Sequence, residues 1–163
     1  MTTAGPKIPI SFYYFGSAAL GIIVKFVPYL LLLLVGLLYH RLLGRPVGSV
    51  LAGFEAQSPP FFLYLLVSGI IAPLVENLII PLFAWVSGSS KTLRRGLVII
   101  VFVLAYFTHG SGLAGVLVGF GFAAFYVLYL FAIPRIGALQ GYLCTVIAHS
   151  SANLGLYAFK LLL

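Results

Sequence analysis

Apolar residues in this chain come in runs longer than a globular core needs, separated by short polar or glycine-rich stretches. Five such segments can be drawn, within residues 16–43, 60–86, 95–109, 112–133 and 138–162. A run of about 18 apolar residues or more can cross the hydrocarbon core of a bilayer as a helix. The pattern therefore predicts an all-α fold, a polytopic transmembrane bundle of about five helices. Lys25 and Pro28 interrupt the first segment, so a break is expected there, with residues 12–24 lying along the membrane interface as an aromatic-rich approach. The connections at 87–90 and 110–112 are short. They force the second, third and fourth helices into antiparallel neighbours, because unpaired backbone cannot wander through lipid. No internal repeat is visible, and residues 1–163 read as a single transmembrane domain.

Composition agrees with the pattern. Hydrophobic residues make up 63% of the chain and charged residues 7%, with a mean hydropathy of +1.20. A soluble domain carries about 25% charged residues, so lipid must be part of this protein's solvent. The net charge of +7 sets nine Lys and Arg against Glu55 and Glu76. In a soluble chain that balance would suggest nucleic acid. Here Arg41, Arg45, Lys91, Arg94, Arg95 and Arg135 flank apolar segments, where cations set topology and meet anionic headgroups. No nucleic-acid partner is expected. Lys7, Lys91, Arg94, Arg95 and Arg135 on one side, against Arg41, Arg45 and Lys160 on the other, favour an inside N-terminus and an outside C-terminus. The single cysteine, Cys144, cannot form an internal disulfide and reads as a helix-packing residue. The N-terminal stretch lacks a small-residue cleavage pattern and is expected to be retained. The brevity of the chain suits a prokaryotic inner or plasma membrane, and so small a bundle is open to homo-oligomerisation.

Small residues predict where helices meet. Gly115 and Gly119 form a GxxxG step, Gly137 and Gly141 another, and Ala148, Ser151 and Ala152 thin the last helix. Small side chains let two backbones approach closely in lipid.

Few strongly polar groups remain at depth: Glu76, Asn77, His109, His149, Ser150 and Asn153. A carboxylate at the bilayer centre costs at least about 2.5–3.5 kcal/mol, so such a residue is expected to face the bundle interior with a partner. At about 1.5 Å rise per residue, Glu76 lies roughly 15 Å from the face holding the 87–90 loop. On the same scale His109 lies roughly 21 Å in, His149 roughly 17 Å and Asn153 roughly 23 Å. His149 and Asn153 are spaced to share one helix face. A shared site is the economical explanation. The plainer one, in which each His or Asn is a hydrogen-bond tie between helices, weighs most for His109, at a helix end. Ser150 and Ser151 are expected to bond back to their own helix, and no Asp is available for a serine triad.

These residues form an ordered set. Ala72-Pro73-Leu74-Val75-Glu76-Asn77 is followed by His109 at the end of the next helix and then by His149-Ser150-Ser151-Ala152-Asn153. The set resembles the CPBP family, the CAAX prenyl proteases and bacteriocin-processing enzymes, which are glutamate-dependent intramembrane endopeptidases. That family's pattern is EExxxR on one helix, FxxxH on the next and HxxxN or HxxxD on a later one. The resemblance spans residues 60–163 and implies a CAAX-protease-like four-helix core. It departs at Asn77, in place of the second Glu, at Pro81, in place of Arg, and at Ala105, in place of the aromatic. By resemblance, Glu76 and His109 activate a water for attack on a peptide carbonyl, and His149 and Asn153 hold the oxyanion. The chemistry is apt, since a carboxylate can take a proton from water and imidazole and amide N–H groups are what an oxyanion needs. The expected partners are membrane lipid and a membrane-associated peptide or protein substrate, with no cofactor and no metal. Two other readings stay open. One is a proteolytically inactive relative that binds a membrane partner as a scaffold or immunity factor. The other is a proton-coupled or metal-binding carrier, because two His and one Glu can ligate zinc.

Overall fold

A computed structural model describes residues 8–43, 60–109 and 112–162. Lys7, Arg45, Glu55 and Gly110 lie outside them, as does the side chain of Lys160. Helix α1 spans Ile10–Leu43. The second segment is broken into α2 (Phe61–Leu66), a π-helical turn (Val67–Ile71), α3 (Ala72–Glu76) and α4 (Ile79–Ser87). Three long helices follow: α5 (Lys91–His109), α6 (Gly112–Ile136) and α7 (Ala138–Leu162). The fold is an all-α polytopic bundle. Among the described residues, four stretches are long and apolar enough to cross a membrane: Ile10–Pro28, Phe61–Ser87, Lys91–His109 and Gly115–Ile136. Helix α7 is of spanning length at 25 residues, but Gln140, Thr145, His149, Ser150 and Asn153 make its sequence less apolar.

The expected break at Lys25 and Pro28 does not occur. Helix α1 runs through both residues, so residues 12–24 belong to a helix packed within the bundle. Proline removes one backbone donor and crowds the carbonyl of the preceding turn, a cost that neighbouring helices can absorb in a membrane. Helix α1 packs mainly along α7. At Gly21 an added Cβ would collide with the backbone of Ala148, and at Gly155 it would meet the Phe26 ring. Residue numbers rise together along this seam, so α1 and α7 run in the same direction.

Other helix ends lie a turn or less beyond their expected bounds, for identifiable reasons. Helix α5 starts at Lys91 rather than at residue 95 because the Ser90 hydroxyl caps the Leu93 N–H at 3.2 Å. The Arg94 guanidinium then folds back onto the Gly88 carbonyl, its Nε at 3.1 Å. Helix α6 runs on to Ile136 and stops at Gly137, whose φ of 88° and N–H bond to Ile133 O form a left-handed cap. Gly137 is therefore a cap, with nothing packed against it, and not a helix-contact residue. Gly119 does mark a contact: an added Cβ would lie 2.9 Å from the ring and carbonyl of Phe102 on α5.

Helix α6 carries the core. Its Phe122, Phe125, Tyr126 and Tyr129 pack against Ile80 and Ala84 of α4, Leu97, Val101 and Ala105 of α5, and Ala148 and Ala152 of α7. Side chains turned away from this core are large and apolar, among them Trp85 at 80% and Phe62 at 82% exposure. Together with the four apolar helices of spanning length, a surface of that kind is compatible with a lipid environment.

Candidate active site

Two prolines shape the middle of the second segment. Pro73 has no N–H to donate, and the Ala72 N–H reaches back to Val67 O, which makes the π-helical turn. The Ser68 carbonyl is then left over, because its five-residue partner is Pro73 and its four-residue partner, Ala72, is already used. Asn153 of α7 fills the gap, its Nδ2 donating to Ser68 O at 2.8 Å. Tyr64 of α2 ties the same two elements together, its hydroxyl donating to Asn153 O at 2.9 Å.

Pro81 acts on the other side of Glu76. It cannot donate to Asn77 O, and the Ile80 N–H takes that acceptor at 3.1 Å instead. The Leu78 N–H likewise contracts onto Val75 O at 3.2 Å. Helix α3 therefore ends at Glu76, and Asn77, fully buried, caps it. The contraction frees the Leu74 carbonyl, which accepts a hydrogen bond from the Tyr142 hydroxyl of α7. Irregular backbone at membrane depth is tolerated where protein groups satisfy it, and α7 supplies those groups here.

Glu76 sits at this break, beside the ends of two other helices. Its Oε2 lies 3.1 Å from His109 Nε2 and 3.7 Å from His149 Nε2. The first distance is a hydrogen bond and the second is too long for one. On its far side the His109 ring meets Thr108, with Nδ1 and Oγ1 2.7 Å apart. The Thr108 hydroxyl has one proton, and it goes to Leu104 O at 2.8 Å. Thr108 Oγ1 must therefore accept from His109 Nδ1–H. With that proton fixed, the Nε2–Oε2 contact holds one more proton, shared between His109 and Glu76.

His149 is held differently. Its Nδ1 donates to Asn77 Oδ1 at 3.2 Å. Phe125 stacks on the ring at 5.3 Å between centroids, and Phe122 meets it edge-on at 5.0 Å. Phe122 also lies 5.2 Å from the His109 ring and so wedges the two imidazoles apart. This pinning leaves Nε2 of His149 directed at the carboxylate. His149 is buried, whereas the side chains of Glu76 and His109 are 31% and 30% exposed.

Those two exposed groups line a cavity of about 400 Å³, with Thr108 beside them and Ile79, Val101 and Phe122 as apolar walls. The volume is that of a small-molecule or peptide side-chain site. Glu76, His109 and His149 are thus brought together as their depths suggested. Asn153 is not at this cavity. It lines a smaller pocket with Lys25 and His149, and one of its donors is committed to Ser68.

Several contributing residues escaped the sequence reading. Asn77 stood out only as a departure from a motif, yet it orients His149. Thr108 was signalled by nothing except its place beside His109. Lys25 read as a helix interruption, although it faces the pocket with His149 and Asn153.

Fold and site together define a polytopic α-helical membrane protein with an acid–imidazole centre at the bundle interior. No family profile, curated protein or solved structure matches the chain.

Proposed function

We propose that this protein is a glutamate-dependent intramembrane endopeptidase. The observation that carries the reading is the 3.1 Å contact of Glu76 with His109 on a cavity wall, with His149 3.7 Å from the same oxygen. A water beside Glu76 loses a proton to the carboxylate as its oxygen adds to a peptide carbonyl. His109, fixed by Thr108, keeps the carboxylate oriented. His149 keeps its Nδ1–H on Asn77, so it serves the developing charge in its doubly protonated form, whose Nε2–H then faces that charge, and preorganised donors of this kind are the largest single contributor in many enzymes. Collapse of the tetrahedral intermediate breaks the C–N bond, and the proton held by Glu76 passes to the leaving amine. The products are a carboxylic acid and an amine.

The order Glu76, His109, His149 and Asn153 also resembles the CPBP family, which supports the same reaction. In this reading Asn153 acts on the backbone: it satisfies Ser68 and so holds the turn that presents Glu76.

One observation favours a second reading. Asn77 and Pro81 stand where that family keeps an acid and an arginine, as expected of a proteolytically inactive relative that binds a membrane partner. Peptide-end profiling of membranes from cells expressing the parent, Glu76→Gln or His149→Ala at equal levels separates the two. New peptide ends are expected with the parent alone. The same ends with all three proteins contradict the endopeptidase reading, and an unchanged partner complex without new ends supports the second.

A further inference from the structure

Helices α1 and α5 both pack against α6 but not closely against each other. Between them α6 floors a groove of about 490 Å³, lined by Phe120, Ala124, Val127 and Phe131 of α6, Val98 of α5 and Leu20 of α1. Every side chain that lines it is apolar. The α6 residues recur at three- and four-residue spacing and so share one helix face. The groove follows that face for roughly 16 Å at 1.5 Å per residue. Ala124 keeps it open where a larger side chain would fill it. At its deep end Phe120 meets Phe102 of α5 edge-on, with centroids 5.1 Å apart. The groove shares no lining residue with the Glu76 cavity.

The other end is cationic. Arg135 lies one turn beyond Phe131, its guanidinium 3.7 Å from the centre of that ring and its Nη1 2.6 Å from the Phe131 carbonyl. These contacts hold the charge at the mouth of the groove and use one of the five guanidinium donors. Across the mouth, Arg95 and Lys91 stand about one and two turns before Val98 on the same side of α5, and both are exposed. Glu76, the single acid among the described residues, is bonded to His109, so no described carboxylate answers these cations. An apolar groove that ends beneath clustered cations matches an acyl chain beneath a phosphate. We propose that the groove is a binding site for an anionic phospholipid, with one acyl chain lying along α6 and the phosphate held by Arg135, Arg95 and Lys91. A zwitterionic lipid fits the groove equally well, but its headgroup carries no net negative charge to meet the cations. Selection is therefore by headgroup charge. The site lies apart from the proposed reaction and rests on no part of it.

The test is lipid retention by the full chain, released from nanodiscs of equal parts dioleoylphosphatidylcholine and dioleoylphosphatidylglycerol and read by native mass spectrometry. The parent is expected to keep phosphatidylglycerol over phosphatidylcholine by about tenfold, the order that cations beside an anionic headgroup supply. Arg95→Gln combined with Arg135→Gln is expected to remove that preference. Arg41→Gln removes a cation at the far end of α1 and is expected to leave it unchanged. Ala124→Phe keeps every cation and fills the groove, and is expected to lose most of the retained phosphatidylglycerol. If that variant does not fold, Ala124→Leu takes its place with the same expectation. Equal retention of the two lipids by the parent overturns the proposal. Retention unchanged by filling the groove also overturns it, since the cations then gather headgroups without a chain site. An equal loss with Arg41→Gln does the same, because net charge alone would explain the preference. Glycerol phosphate is expected not to displace the lipid, and displacement would make this a plain phosphate site.

Discussion

The Nδ2 of Asn153 donates to the carbonyl of Ser68 at 2.8 Å, and Ser68 is the carbonyl that Pro73 cannot serve. A side chain of the last helix thus completes the backbone of the second segment, about two turns before Glu76. Asn153→Ala is expected to destabilise the protein by about 1–3 kcal/mol, the cost of an unsatisfied buried acceptor. Adding Pro73→Ala should recover part of that loss, because residue 73 then has an N–H to offer. Thermal melts of the single and double variants in nanodiscs check this. If Asn153→Ala melts like the parent, the tie has no stabilising role.

Pro81 interrupts the helix just after Glu76. Pro81→Ala restores a donor for Asn77 O and removes a ring that costs about 3 kcal/mol in a helix interior. The variant is expected to be more stable than the parent yet less active, because a continuous helix turns Glu76 and Asn77 away from His109 and His149. Melting temperature and cleavage rate, measured on one preparation, should move in opposite directions. A rise in both would show that the break is not needed by the site.

Thr108 fixes the proton on His109 Nδ1. Thr108→Val keeps the shape and removes the acceptor. Cleavage is expected to fall by about tenfold, the equivalent of a hydrogen bond of about 1.4 kcal/mol, while Thr108→Ser keeps most of the activity. Equal activity in Thr108→Val and the parent would sever Thr108 from the mechanism.

Two imidazoles and a carboxylate could also hold zinc. In this structure His109 Nε2 and Glu76 Oε2 are hydrogen-bonded to one another at 3.1 Å rather than turned toward a common centre. Treatment with a strong chelator is expected to leave cleavage unchanged, and elemental analysis of the purified protein to find less than stoichiometric zinc. Stoichiometric zinc lost together with activity would make this a metal site.

The meeting of Glu76, His109 and His149 was legible from sequence because straight antiparallel helices turn residue number into depth. Their companions were not. The second segment is apolar all round, and such a helix gives no phase from which to read a break or a face. Pro73 and Pro81 were visible, but their effect depends on acceptors that only α7 satisfies, through Asn153 and Tyr142. Asn153 shares a helix face with His149 as its spacing implied, yet a freed carbonyl within reach of its Nδ2 gives it a structural task. Lys25 and Pro28 suggested a break because each disfavours an apolar helix alone. The seam between Gly21 and Ala148 decides otherwise, and no local pattern encodes a contact between residues so far apart in the chain.

Glu76 as the base is the central claim. Its most direct test uses the purified protein in proteoliposomes and the membrane peptide identified by end profiling, cleaved under single-turnover conditions by the parent and by Glu76→Gln. The predicted result is a loss of about 10²–10⁴-fold in rate, the usual contribution of a general base, with folding and peptide binding retained. Cleavage by Glu76→Gln at the parent's rate would contradict it.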